Sequence, residues 1–423
     1  MNNKTIRSIK GTQDILPEES IKWQSLENEI RKITSHYGYE EIRTPAFEQT
    51  KLFSRGVGEE TDIVSKEMYS WTDQGGENLT LKPELTASVA RAYIQHNLGL
   101  VSPVNKLYYI DALFRRERPQ KGRYRQFHQF GVEAFGSEHP EIDAEVIALA
   151  ISIFYSVGLE ELQLNINSIG SPECRKNYRI ALQEFLKPHF SNLSETSQKR
   201  FNNNPLRILD TKAPHEINIL NDAPIISNYW TDEDETHFKK VIEYLDILEI
   251  KYQLMPRLVR GLDYYTRTTF EITSSNLGAQ DAICGGGRYD GLVEMLGGKP
   301  TPGIGFAAGM ERLLLAMKNN QSKKNKVQIY IVGLGDNARG TVIKLAEELR
   351  QQNIATEFDV LRRSLKAQLR EANKMGVSYA IIIGDKELEN QQVTVRTQSG
   401  EDLGSFTVND FVDRVQQAIV FKK

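Results

Sequence analysis

The sequence predicts a large α+β unit carrying an inserted helical subdomain, followed by a smaller α/β unit. Three observations lead there. Strand-like apolar blocks at 105–136 and 257–309 flank a stretch, 171–255, that is rich in Asn, Lys and Glu and helical in pattern. The segment KNNQSKKNK at 318–326 is charged and free of apolar residues, as a linker is. Beyond it strands and helices alternate, which describes an α/β domain of roughly 100 residues. The expected units are 1–320, interrupted by 171–255, and 328–423.

Composition bounds the reading. A chain of 423 residues exceeds one ordinary core. With 39% hydrophobic and 26% charged residues it is of the soluble globular class. No apolar run approaches the roughly 20 residues that span a bilayer, so no membrane partner is expected. The N-terminus has charge but no apolar stretch behind it, unlike a secretory signal. Two cysteines, Cys174 and Cys284, are too few for a disulfide framework and fit a reducing cytoplasm. Neither cysteines nor histidines show metal-ligand spacing, so no zinc is expected. Fifty-three basic against fifty-six acidic residues neither announces nor excludes nucleic acid, which needs a local basic surface.

Taken in order, Trp23, Leu26, Ile30, Ile33 and Tyr37 recur at helical spacing, with Gly38 as the stop. Tyr39 to Thr44 alternates as a strand and ends at Pro45. A helix is expected from about Pro83 to His96. Two strands follow, KLYYIDALFRRE and QFHQFGVEAFG, joined by the polar stretch RPQKGRYR. Pro140 opens a helix to Ile153, and ELQLNINSIG is a strand. After the helical stretch, RLVRGLDYYTRTTFEITS and AQDAICGGGRYDGL read as strands, and GIGFAAGMERLLLAMK as a strand running into a helix. The C-terminal unit reads strand VQIYIVG, helix ARGTVIKLAEELRQQ, strand ATEFDV, helix SLKAQLREANKMG, strands SYAIIIG and QVTVRT, and a helix from about Val408.

The segment 114–125 concentrates Arg115, Arg116, Arg118, Lys121, Arg123 and Arg125 against one acid, Glu117. Guanidinium groups fork onto phosphate and carboxylate oxygens, so the cluster suits a polyphosphate or an RNA backbone. Tyr124, Phe127 and Phe130 could stack on a base. A solvated basic hairpin is the plain alternative. At 301–312, glycines precede Arg312 on an opening helix, which fits either a close backbone approach or simple tight packing. Gly333 to Gly340 lies between strand and helix, but its spacing departs from a dinucleotide-binding turn. In LVRGLDYYTR at 258–267, an Arg, an Asp and paired tyrosines could serve a ligand or form a structural Arg–Asp pair with core tyrosines. On a strand, Asp263 and Tyr265 would share one face and Tyr264 the other.

The stretch FRRERPQKGRYRQFHQFGVEAFG resembles the second signature motif of class II aminoacyl-tRNA synthetases, in its histidine-specific form. TPGIGFAAGMER matches the third motif, and the helix ending near Tyr37 with YEEIRTPAFEQTKLF the first, dimer-forming one. LVRGLDYYTR and CGGGRYDG at 284–291 resemble segments of the histidine enzyme and its close relatives. The resemblance covers essentially the whole chain. It implies a mixed, mainly antiparallel sheet flanked by helices, with ATP lying bent on it, and a C-terminal anticodon-binding domain.

By the same resemblance Arg115 and Arg260 would flank the α-phosphate as the catalytic pair, each also reaching the amino acid. Glu117 would receive the adenine amino group, Phe127 would stack on adenine, and Arg123 and Arg312 would hold the γ-phosphate. Arg118, Gln120 and Lys121 would meet the tRNA acceptor end. Glu133 and Tyr265 would take the imidazole nitrogens with Tyr264 and Tyr289 alongside. Glu84 and Thr86 would hold the α-amino group, and Gln129 the backbone end. Buried polar partners reject apolar look-alikes, which would leave them unpaired. The family commonly has Pro-Glu-Gly-Thr where this chain has Leu85, so a changed loop contact is expected with the site retained. The implied reaction uses ATP with Mg2+, L-histidine and tRNA(His) in a homodimer. The rival is a non-catalytic relative that regulates the ATP phosphoribosyltransferase of histidine biosynthesis. Such relatives typically lack the anticodon-type domain and have eroded ATP-binding residues, whereas this chain keeps both.

Overall fold

The computed structural model describes residues 5–59, 61–120, 122–274, 282–317 and 327–411. The linker 318–326, Lys121 and all but the first turn of the closing helix lie outside those residues. Two units divide the chain, 1–320 and 321–423.

The first unit is organised by an eight-stranded sheet. Its order is Glu40–Glu41, Asn105–Phe114, Gln126–Phe135, Gly303–Gly309, Ala282–Arg288, Thr266–Ser274, Leu162–Ser168 and Tyr252–Leu254. The outermost pair at each edge is parallel, and every pairing between is antiparallel. The sheet is thus mixed and mainly antiparallel, as the sequence resemblance implies. Successive side chains of a strand point to opposite faces. Phe130, Val132 and Ala134 therefore meet one core, while Gln129, Gly131 and Glu133 face the other way. Behind the sheet lie helices Pro17–His36, Pro140–Ser156, Asp232–Ile247 and Met310–Ala316, whose Leu26, Phe154, Val241 and Leu313 are fully buried. Each such side chain contributes about 1.5–3 kcal/mol through burial.

On the front, helix Thr86–Gln95 and the helices between 172 and 229 share a second core with Leu107, Tyr109 and Tyr289. The stretch 171–255 is helical, but its last part belongs to the main layers. Phe238 and Leu245 pack behind the sheet, and Tyr252–Leu254 pairs with Leu164–Ile166.

Several elements are shorter than their sequence pattern suggests. Of the strand expected over 39–44 only Glu40–Glu41 pairs in the main sheet, because beyond Ile42 the chain leaves it and the Thr44 carbonyl accepts from Lys82 Nζ at 3.1 Å. Phe47–Gln49 then joins Asn78–Leu81 and Tyr69–Thr72 in a small separate sheet. The helix expected from Pro83 begins at Thr86. Both carboxylate oxygens of Glu84 accept backbone N–H groups there, from Thr86 and Ala87, each at 2.9 Å. These are first-turn donors that have no partner within the helix. Leu85 has ordinary right-handed backbone angles and is buried, so this loop accommodates a side chain without strain. The segment 256–265 is a loop and not a strand, held by Asn167 Nδ2 donating to the carbonyls of Pro256 and Leu258.

In the second unit the sheet order is Thr356–Phe358, Ile329–Gly333, Tyr379–Ile383, Gln392–Thr397 and Asp402–Thr407. The first three strands are parallel and the last two antiparallel additions. Helices Arg339–Gln351 and Leu365–Met375 pack against residues of alternating parity on Ile329–Gly333, and so cover opposite faces. The turn at Gly333 is filled by buried Gln368, which bonds both the N–H (3.1 Å) and the carbonyl (3.0 Å) of that glycine.

One buried ion pair ties the back of the main sheet together. Arg288 and Asp143 are both fully buried and bonded to each other; Thr268 donates to Asp143 at 2.6 Å, and Asp290 braces Arg288. Removing Asp143 leaves the buried Arg288 charge with only the partly exposed Asp290 as counter-charge. Asp143→Ala is expected to lower unfolding stability by about 3–5 kcal/mol. Equilibrium urea unfolding checks this, and a loss within the usual surface range would contradict it.

Candidate active site

On the front of the sheet a cavity of about 480 Å³ is floored by Gln126–Phe135, Gly303–Gly309 and Ala282–Arg288. Its depth comes from missing side chains. A Cβ on Gly285 would collide with the guanidinium of Arg260, and one on Gly305 with the carboxylate of Glu133. Both polar groups can lie against the sheet only because those positions are bare.

Glu133 lies beneath the lining residues Thr86, Tyr109 and Tyr289, fully enclosed. Thr86 Oγ1 donates to its Oε1 at 2.7 Å and Tyr109 to the same oxygen at 3.2 Å, while the Tyr289 hydroxyl donates to Oε2. Burial pushes its pKa up to about 8, against the pull of those hydroxyls. Burial likewise raises Glu84 to about 7, although two backbone N–H groups stabilise its charge. These carboxyl groups are held by neutral donors, so the charge of their ionised forms remains for a cationic ligand.

Across the cavity, Arg260 pairs with Glu271 at 3.1 Å rather than with Asp263. Asp263 instead accepts from Asn204 at 2.7 Å, and its own N–H meets the Val57 carbonyl, which anchors the 256–265 loop. Because that segment is a loop, Tyr264 and Tyr265 both line the cavity, with ring centroids 4.8 Å apart. The strand expectation would have sent them to opposite faces. Tyr264 also meets Tyr289 edge-on at 5.7 Å.

The arginine-rich hairpin forms the remaining wall. Arg115 donates to the Pro83 carbonyl at 2.8 Å and lies 5.1 Å from the Phe127 ring centroid. Glu117 stands between Arg115 (3.8 Å) and Arg123 (3.5 Å). Arg312 donates to the Ala282 carbonyl at 2.7 Å. Gln129 lines the floor between them. Arg118 and Gln120 border an adjoining groove that shares Glu117 and Arg123 with the cavity, and Lys121 lies outside the described residues.

Several residues of this site escaped sequence reasoning, among them Tyr109, Glu271 and Arg207, and the acids Asp62, Glu67 and Glu311. Tyr109 sits in an apolar strand and reads as core; its odd-numbered parity with Leu107 and Asp111 is the only signal. Glu271 alternates with Phe270 and Ile272 and had the same faint mark. Arg207 reaches the rim from the helical insertion, and no local pattern announces it.

The raised carboxyl groups have a consequence for stability. A carboxyl whose pKa is higher folded than unfolded stabilises fully below its ordinary value and loses that contribution as pH rises through the folded value. Glu133 and Glu84 should therefore make the protein less stable from about pH 5 to about pH 9. Glu133→Gln should flatten that decline, measured as urea unfolding against pH. Parallel curves for the two proteins would contradict the assignment.

Comparisons with known proteins identify the family. A family model described as histidyl-tRNA synthetase matches residues 11–313, and one described as an anticodon binding domain matches 328–418. The histidine–tRNA ligase of Halothermothrix orenii is 48% identical over 419 residues, 98% of this chain and 100% of that one. The apo histidyl-tRNA synthetase of S. aureus is 39% identical with a TM-score of 0.82, covering 97% of this chain and 99% of that one. A Bacillus halodurans structure, described as an ATP phosphoribosyltransferase regulatory subunit/histidyl-tRNA synthetase, shares the fold at 24% identity and a TM-score of 0.63, over 88% of this chain and 97% of its own. On these grounds the chain belongs to the histidyl-tRNA synthetase family.

Proposed function

We infer that this chain is a histidine–tRNA ligase, converting ATP, L-histidine and tRNA(His) to histidyl-tRNA(His), AMP and diphosphate. The observation that carries this reading is the cavity itself, which pairs a buried carboxyl held by hydroxyls at its base with a wall that carries Arg115, Arg123, Arg260 and Arg312. In the first step the histidine carboxylate attacks the α-phosphorus, forming histidyl-adenylate and releasing diphosphate. In the second a terminal ribose hydroxyl of the tRNA takes the acyl group and AMP departs. No protein nucleophile is needed, because positioning and electrostatic stabilisation carry both steps.

Arg115 and Arg260 approach the α-phosphate from two sides and stabilise the charge that builds on it. Arg123 and Arg312 hold the γ-phosphate, Phe127 stacks on adenine, and Glu117 accepts from its amino group. ATP arrives with Mg2+ on its phosphates. Glu133 and Tyr265 take the imidazole nitrogens, with Tyr264 and Tyr289 beside them. Glu84 and Thr86 serve the α-amino group, and Gln129 the backbone end. Arg118, Gln120 and Lys121 meet the acceptor end, and the C-terminal unit meets the anticodon. A homodimer working in the cytoplasm completes the reading. The regulatory alternative is disfavoured by the retained arginines and by the match to an anticodon binding domain.

Amino-acid-dependent exchange of pyrophosphate into ATP tests this across all twenty amino acids. Signal with histidine alone is expected; no signal with any would favour the regulatory relative. Arg260→Ala should slow single-turnover adenylate formation by about 10²–10³-fold while changing histidine affinity far less. An unaltered single-turnover rate would remove Arg260 from the reaction.

A further inference from the structure

Tyr109 lies directly opposite Gly131 in the antiparallel register, and Glu133 is two residues further along the same strand. A Cβ on Gly131 would collide with the Tyr109 hydroxyl and its ring end, so the bare glycine is what lets the ring lie across the strand. The ring is buried, and its hydroxyl ends 3.2 Å from Glu133 Oε1, which also accepts from Thr86 at 2.7 Å. Oε2 accepts from Tyr289. An ionised carboxylate offers about four acceptor positions, two on each oxygen. Among the described residues, the three hydroxyls fill both positions on Oε1 and one on Oε2.

We propose that Tyr109 is a positioning residue for histidine recognition: with Thr86 it saturates Oε1 of Glu133 and leaves one acceptor position, on Oε2, for a ring N–H of the substrate. This rests on the histidine reading above and adds a residue to it. The consequence is a single donor-specific contact at the base of the cavity, where a side chain lacking an N–H leaves that oxygen unpaired. Tyr109 also favours the ionised form of Glu133, since its hydroxyl bonds the charge. The groups facing Glu133 are Thr86 and Glu84 at the helix start, Tyr109 on the partner strand, Tyr289, and Tyr264 and Tyr265 from the loop; Tyr39 also feels its charge. None of these is a cation, so the hydroxyls are the means of holding the carboxylate.

The test is histidine-dependent pyrophosphate exchange from about pH 6 to about pH 9, where kcat/KM reports ionisations of the free enzyme and free substrate. Tyr109→Phe should raise KM for histidine on the order of tenfold, as loss of a hydrogen bond to a charged group does. KM for ATP and kcat should hold, and the acid limb of kcat/KM for histidine should move to higher pH. Replacement of Tyr109 by 3-fluorotyrosine, a nearly isosteric and stronger donor, should move that limb to lower pH and decides the matter if the Phe variant does not fold. A limb at the same pH in the wild type and the variants would reduce Tyr109 to core packing and overturn the proposal. A wild type without histidine-dependent exchange would instead remove the underlying reading, and the proposal with it.

Discussion

The row of bare positions on the front of the main sheet is the steric allowance on which the cavity depends. Gly131, Gly285 and Gly305 sit on three adjacent strands, and each is overlain by a polar side chain that a Cβ would displace. Tyr109 lies over the first, Arg260 over the second and Glu133 against the third. With side chains at those positions the same groups would be driven upward, and the cavity would fill with its own walls. Glycine in a strand interior weakens the strand, so the cost is accepted where backbone must be approached closely.

Burial then sets the electrostatics. The pair at the back of the sheet, Arg288 with Asp143, is fully buried and held further by Thr268 and Asp290. The front is built differently. Glu84 is held by backbone N–H groups and Glu133 by hydroxyls, while Arg115 and Arg312 are braced by the carbonyls of Pro83 and Ala282. Neutral partners fix the two carboxyl groups in place while leaving the charge of their ionised forms uncancelled, and that charge remains for an ammonium or imidazole. The arginine wall offers guanidinium groups to phosphates, with Arg115 also 3.8 Å from Glu117. The same low dielectric that raises the carboxyl groups strengthens every such contact once a ligand excludes water.

Much of this was legible in the residues, and the exceptions have physical causes. The run 126–135 was legible as a strand, but of its stacking candidates only Phe127 faces the cavity, while Phe130 is buried behind the sheet with Val132 and Ala134. The strand–helix rhythm of the C-terminal unit was equally plain, apart from Asp402–Thr407, an exposed edge strand with little apolar patterning. Other features depended on tertiary contacts that no local pattern records. Glu84 sets the helix start through its side chain, so Pro83 could not mark it. Asn167 pulls 256–265 out of the sheet, which turned an apparent strand into the loop that aims both Tyr264 and Tyr265 inward. Tyr109 was hidden because an aromatic in an apolar strand looks the same whether it packs or donates.

The central claim is that the glycine floor lets a buried carboxylate read the imidazole while Arg260 faces the reacting phosphate. A crystal structure with histidine and a non-hydrolysable ATP analogue bound tests this most directly. The account predicts a ring nitrogen within hydrogen-bonding distance of Glu133 Oε2 and the Arg260 guanidinium against the α-phosphate. An imidazole bound away from Glu133, or an Arg260 still turned to Glu271 with the nucleotide in place, would contradict it.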